Sequence, residues 1–167
     1  MLIRDEKKGD RDSVYAVNVS AFENPSEADL VDALRQQAQP IVSLVAEENE
    51  EVVGHIMFSP VSLSGHPNLK VMGLAPMAVL PVHQETGIGS ALVRAGLEQC
   101  KQLDFVAVVV LGHPEYYPRF GFLPSSQFGI ESEYDVPDEV FMAMELRPEA
   151  LSGKTGRVRY DSAFNNV

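Results

Sequence analysis

The sequence predicts an α/β fold in one domain. The spacing of apolar residues is helical between Asp10 and Leu34 and strand-like from Ile41 onward. Further on, an apolar strand, a glycine loop, an amphipathic stretch and a second apolar run follow one another between Leu69 and Leu111. That is the order of a βαβ unit, which closes by a right-handed crossover. Size agrees with one domain: 167 residues, 45% hydrophobic and 22% charged, bury a real core and exclude global disorder.

Residues 2–4 read as a short first strand. Val14, Val17 and Ala21 share one face of a helix over residues 10–21. Pro25 and Ser26 open a second helix whose stripe is Leu30, Ala33 and Leu34, and Ser26 with Asp29 has the spacing of a capping box. Residues 41–46 and 52–63 are strand-like, the latter interrupted by Pro60. They flank a polar turn at 47–51 and pair as an antiparallel hairpin. A second turn covers 65–68. Residues 69–80 are extended again, and Pro76 removes one ladder donor, which marks an edge or a bulge. The helix that follows runs to Leu103, with Ile88, Leu92, Ala95 and Leu103 on its stripe and Gly96 and Cys100 on its flank. Residues 105–111 are continuously apolar, as in a strand covered on both faces. After them come an aromatic segment at 113–122, an acidic loop at 131–139, a strand at 141–146 and a short strand at 157–160. No repeat or linker divides the chain, so one domain is expected over 1–167, with a core of 1–146 and a C-terminal extension of 147–167.

Lys plus Arg is 13 against 24 for Asp plus Glu, a net charge of −11. Such acidity argues against a nucleic-acid or anionic-membrane partner and leaves a cationic one open. The longest apolar run, 105–111, is far short of the roughly 20 residues that span a bilayer. Charges at Arg4, Asp5 and Glu6 stand where a signal peptide would be apolar. A lone Cys100 excludes an internal disulfide and a multi-Cys zinc site, and no metal is assigned. The expected location is the cytoplasm.

Chemistry concentrates at Gln84-Glu85-Thr86-Gly87-Ile88-Gly89, between the apolar strand and the amphipathic helix. Two glycines let the backbone turn tightly, and the unpaired N–H groups of the helix start can receive a pyrophosphate. No Lys or Arg lies between Lys70 and Arg94, so such a site relies mainly on backbone N–H groups, helped by the Gln84 amide and the Thr86 hydroxyl. A Walker loop fails, because Ser90-Ala91 replaces the required Lys and hydroxyl. A dinucleotide fingerprint fails at Leu92, where a third glycine is needed, and lacks its acid after the next strand.

With Val79-Leu80-Pro81 before the loop and Tyr117-Pro118-Arg119-Phe120-Gly121-Phe122 after it, the chain resembles the GNAT superfamily of acetyl-CoA-dependent N-acetyltransferases. The second segment is like the Tyr-x-x-x-Gly-Phe of many members, and residues 73–122 look like the small bacterial YhbS-like branch. The resemblance implies a GNAT-type acyl-CoA acyltransferase fold, a mixed, twisted sheet with helices on both faces. It implies acetyl transfer from acetyl-CoA to a small-molecule or peptide amine by direct attack in a ternary complex. Gln84, Glu85, Thr86, Gly87, Ile88 and Gly89 would then hold the pyrophosphate. Ala78, Val79 and Leu80, on a strand splayed from its parallel neighbour, would line the pantetheine arm and the thioester. Tyr117 would protonate the departing thiolate. Many relatives pair as dimers, and the C-terminal strands could serve.

This sequence departs from the family at two points. Gln84 stands where Arg is frequent, and residues 73–80 hold no ionisable side chain to act as the base some members carry. His113, Glu115 and Glu23 are candidates for that role. The missing carboxylate keeps an alternative open, a non-catalytic acyl-CoA-binding sensor or assembly module. Tyr116 reads as packing, His55 as a half-buried scaffold residue and Cys100 as a buried small hydrophobe. The acidic run Glu131, Glu133, Asp135, Asp138 and Glu139 reads either as a solvated loop or as an attractor of a cationic acceptor near the site.

Overall fold

The computed structural model describes residues 1–167, apart from the side chain of Asn166. Its elements are β1 (Leu2–Asp5), α1 (Arg11–Phe22), α2 (Ser26–Gln37), β2 (Val42–Glu48), β3 (Glu51–Leu63), β4 (His66–Val79), α3 (Ile88–Gln102), β5 (Ala107–Leu111), β6 (Leu123–Pro124), β7 (Ile130–Ser132), β8 (Phe141–Glu145) and β9 (Gly156–Arg159). The strands form one mixed sheet in the order β1-β2-β3-β4-β5-β8-β6, antiparallel along this path except for β4–β5, with β7–β9 a second parallel pair beside it. β9 pairs with the far end of β3 on one side and with β7 on the other.

Strand alternation puts helices on both faces. Leu44, Ala46, Ile56 and Phe58 pack against Ile88, Leu92, Val93 and Leu97 of α3. Their neighbours Val45 and Met57 point the other way, into Val14 of α1 and Val31 and Leu34 of α2. Beyond the helices that second face is covered by Leu151, Val158 and Tyr160, which bury Val61, Val71 and Val109. The C-terminal segment thus closes the sheet. Both edges of β9 are paired within the chain, so it is not free to pair with a second copy.

Several local expectations change. The first turn of α2 is not a capping box: Asn24 Oδ1 accepts from the Ser26 N–H at 2.9 Å, and Ser26 already lies inside the helix. The hairpin turn is only Asn49 and Glu50, both at positive φ (51° and 65°), so β2 runs on through Glu48. Pro60 does not break β3, where it pairs with Met72. On α3 the buried stripe is Ile88, Leu92, Val93, Gly96, Leu97 and Cys100. Ala95 is half-buried, and Leu103, already past the helix end, is 41% exposed. β6 and β7 were not anticipated, because two or three residues are too few to show a period.

His55 is fully buried rather than half-buried. It joins a polar chain running from Asn18 through His55 and Ser43 to Glu6, which is ion-paired with Arg35. Burial, helped by the Arg35 charge, pushes its imidazole down to about 3, so it is neutral scaffold.

Candidate active site

The site begins with the irregularity at Pro76. Ile56 pairs with Met77 and Phe58 with Leu74, so Ala75 and Pro76 together oppose Met57, a bulge that bends β4. Pairing with β5 is confined to Val71–Gly73 against Ala107–Val109. Beyond Gly73 the two parallel strands part, and a cleft of about 570 Å³ opens between them. That volume suits a small-molecule ligand.

Alternation decides which backbone groups face the gap. Leu80 donates its N–H to Val53 O at 2.9 Å, which turns Leu80, and with it Ala78, toward β3. Met77 and Val79 therefore face the side that β5 has left. Of the three strand residues expected to offer backbone groups, Val79 does so and the Leu80 N–H is already committed. Met77 was not anticipated, since the register of the bulge sets its direction. The Val79 carbonyl accepts from Gln84 Nε2 at 3.0 Å.

The loop after β4 is built for close approach. Glu85 has φ 63°, and Gly87, the N-cap of α3, has φ 88° with nothing within 4 Å of an added Cβ. No side chain caps α3, and its first helical bond is Ala91 N–H to Gly87 O. The N–H groups of Ile88, Gly89 and Ser90 are thus unclaimed, as at any helix start. Gln84 and Thr86 do not stand ready to help: their side chains bond Val79 O and His83 O. A cation stacks on the aromatic residue that meets the first turn of α3, which a reading along the chain could not show. Arg119 sits 4.5 Å from the centre of the Tyr116 ring, and the Tyr116 hydroxyl meets Ser90 Oγ at 3.1 Å. Tyr116 therefore links the aromatic segment to the first turn of α3 as well as packing.

Tyr117 lines the same cleft and is 7% exposed. Its ring meets Tyr116 edge-on at 5.0 Å and Phe122 at 5.7 Å. Burial, with a smaller contribution from Tyr116, pushes its hydroxyl up to about 12, so it stays protonated and can donate. Gly112, at the end of β5, makes room for it. A Cβ there would lie 2.3 Å from Tyr117 Cε2. The sequence shows Gly112 only as the residue ending an apolar run.

The candidate bases separate. His113 lines the cleft, whereas Glu23 and Glu115 do not. Glu27, on the first turn of α2, does line it, and its Oε2 is buried with no hydrogen-bond partner among the described residues. In sequence it reads as a helix-start acid, so nothing marked it. None of the five loop acids lines the cleft: Glu131 pairs with Arg157, Glu133 accepts from the Tyr160 N–H, and Asp138 accepts from Ser126. Cys100 is buried, and burial pushes its thiol up to about 12, which makes it no nucleophile. Unclaimed N–H groups at the start of α3 and free strand N–H groups at Met77 and Val79 fit the two parts of an acyl-CoA expected there, a pyrophosphate and an amide-bearing arm.

Comparison with known proteins agrees with this geometry. The family model of the acetyltransferase (GNAT) domain matches residues 2–124. The uncharacterized N-acetyltransferase YhbS of Escherichia coli K12 is 36% identical over 166 residues, covering 99% of each chain. The crystal structure of E. coli YhbS in complex with CoA superposes with a TM-score of 0.92 at 35% identity, covering 98% of this chain and 91% of that one. A GNAT family acetyltransferase from Brucella melitensis, in complex with acetyl-CoA, gives a TM-score of 0.81 at 36% identity over 98% and 97% of the two chains.

Proposed function

The chain belongs to the GNAT acetyltransferase family, in its YhbS-like branch, and on that premise we propose that it moves the acetyl group of acetyl-CoA to an amine by direct attack in a ternary complex. Class and fold are those of an N-acetyltransferase. The observation that carries the finer reading is the cleft itself. Strand N–H groups of Met77 and Val79 that no partner among the described residues takes and the buried phenol of Tyr117 border one space where β4 and β5 part.

Acetyl-CoA, when bound, supplies a thioester whose carbonyl carbon an amine can attack and whose thiolate leaves. The chain positions and protonates. Backbone N–H groups of residues 88–90 receive the pyrophosphate. The Val79 N–H polarises the thioester carbonyl; one such donor is worth on the order of a hundredfold in rate. Tyr117 gives its proton to the departing sulfur, whose ordinary pKa of about 8.5 lies well below that of the phenol. The transfer is uphill as an isolated step, so it is concerted with collapse of the addition product. A buried Cys100 offers no route through an acetylated thiol. We place this reaction in the cytoplasm. No helix among the described residues is long and apolar enough to cross a membrane.

Calorimetric titration with acetyl-CoA and measurement of thiol release over a panel of amines test this together. Binding without thiol release from any amine would favour a non-catalytic acyl-CoA module. No heat at high micromolar acetyl-CoA would end both readings.

A further inference from the structure

The acceptor side of the cleft is walled mainly by apolar and aromatic side chains, with Val167 also lining it. Glu27 is the only carboxylate side chain lining it among the described residues. A buried carboxylate oxygen with no protein partner is unfavourable until something in the cleft satisfies it, and a bound ammonium would do so. Around it stand Phe22 and Leu30 from the corner of α1 and α2, Tyr134 from the loop between β7 and β8, and Tyr160 and Phe164 from the C-terminal segment that closes the sheet. The last three form a continuous wall, with ring centres 5.8 Å apart for Tyr134 and Tyr160 and 5.0 Å apart for Tyr160 and Phe164. Tyr160 lies against Gly73, where β4 and β5 part, whereas Gln84 lies at the other end of β4. The aromatic wall and the glycine loop are thus at opposite ends of the split.

We propose that Glu27 receives the ammonium group of the acceptor and takes its proton, and that the acceptor is a monoamine with an apolar or aromatic body. This rests on the transfer reading above. The ammonium gives one proton to Glu27, which frees the nitrogen lone pair. The nitrogen–carbon bond forms and the carbon–sulfur bond breaks. Sulfur takes a proton from Tyr117, and the second proton lost by nitrogen restores that hydroxyl through solvent. Glu27 then releases its proton to solvent. A single cation is matched by one carboxylate and by aromatic faces. A second ammonium in the same space would meet apolar and aromatic side chains and no second carboxylate side chain among the described residues. Polyamines and aminoglycosides therefore fit poorly.

The test uses the full chain, acetyl-CoA and three probes: 2-phenylethylamine, spermidine and kanamycin. Wild type should show kcat/KM for 2-phenylethylamine at least about tenfold above the other two, the equivalent of about 1.4 kcal/mol. Glu27→Gln should lower it by about a hundredfold, with acetyl-CoA affinity and melting temperature close to wild type. Spermidine or kanamycin as the better substrate, or a folded Glu27→Gln with wild-type kcat/KM, overturns this inference and leaves the transfer reading standing. Acetyl-CoA binding with no amine acetylated overturns both.

Discussion

Replacing Gly112 with Ala should disable Tyr117 without touching it. The added Cβ would lie 2.3 Å from Tyr117 Cε2 and 2.9 Å from Cδ2. Carbon atoms pack at about 3.5–4.0 Å, so the ring edge must retreat by more than about 1 Å. Retreat is obstructed, because Phe122 and Tyr116 stand against the ring at 5.7 and 5.0 Å and Phe122 is fully buried. Gly112 is not among the residues with positive φ, so the effect comes from the contact and not from the backbone. A displacement of about 1 Å in a catalytic group is worth up to about a hundredfold in rate. We expect kcat to fall between about tenfold and a hundredfold, acetyl-CoA affinity to stay within about threefold, and stability to drop by about 1–3 kcal/mol from overpacking. Steady-state thiol release, calorimetry and thermal melting measure the three. If Gly112 acts through the phenol, the double variant with Tyr117→Phe is no slower than Tyr117→Phe alone. A folded Gly112→Ala with wild-type kcat, or a double variant whose losses multiply, would refute the positioning role.

Tyr117→Phe should lower turnover at least about tenfold while acetyl-CoA affinity is nearly unchanged; equal rates would remove Tyr117 from the mechanism. Because the phenol is pushed up to about 12, it should add no alkaline loss of activity near pH 10, which a pH–rate profile of wild type against Tyr117→Phe would reveal. His55 bears on stability instead. Its folded-state pKa, about 3, lies below the unfolded value of about 6.5, so the unfolded chain binds more protons between them. Its contribution is complete above about pH 6.5 and is lost as the pH falls toward 3. Denaturant titrations at neutral pH and near pH 4 should show a smaller difference for His55→Gln than for wild type, and an equal difference would contradict this.

Local pattern revealed the element order, because strand, glycine loop, helix and apolar run each carry their signal within a few residues. The glycine loop and Tyr117 were legible for the same reason. What stayed hidden depends on contacts between distant segments. The direction of the Val79 and Leu80 N–H groups follows from the register of the bulge opposite Met57. The aromatic segment joins the start of α3 through the Tyr116 hydroxyl at Ser90, and Arg119 stacks on the same ring. Glu27 looks like any acid in the first turn of a helix until the sheet, the α1–α2 corner and the C-terminal aromatics enclose one cleft. The net charge of −11 gave no guide to the cleft, since the loop acids bond elsewhere.

Direct attack is tested most directly by mass spectrometry of the reaction with acetyl-CoA and 2-phenylethylamine, following product and protein together. Acetylated amine and free CoA thiol should appear in equal amounts. The protein itself should carry no acetyl group, whether the amine is present or withheld. An acetyl group on the protein that chases into product, or bound acetyl-CoA that yields no acetylated amine, would contradict the ternary-complex account.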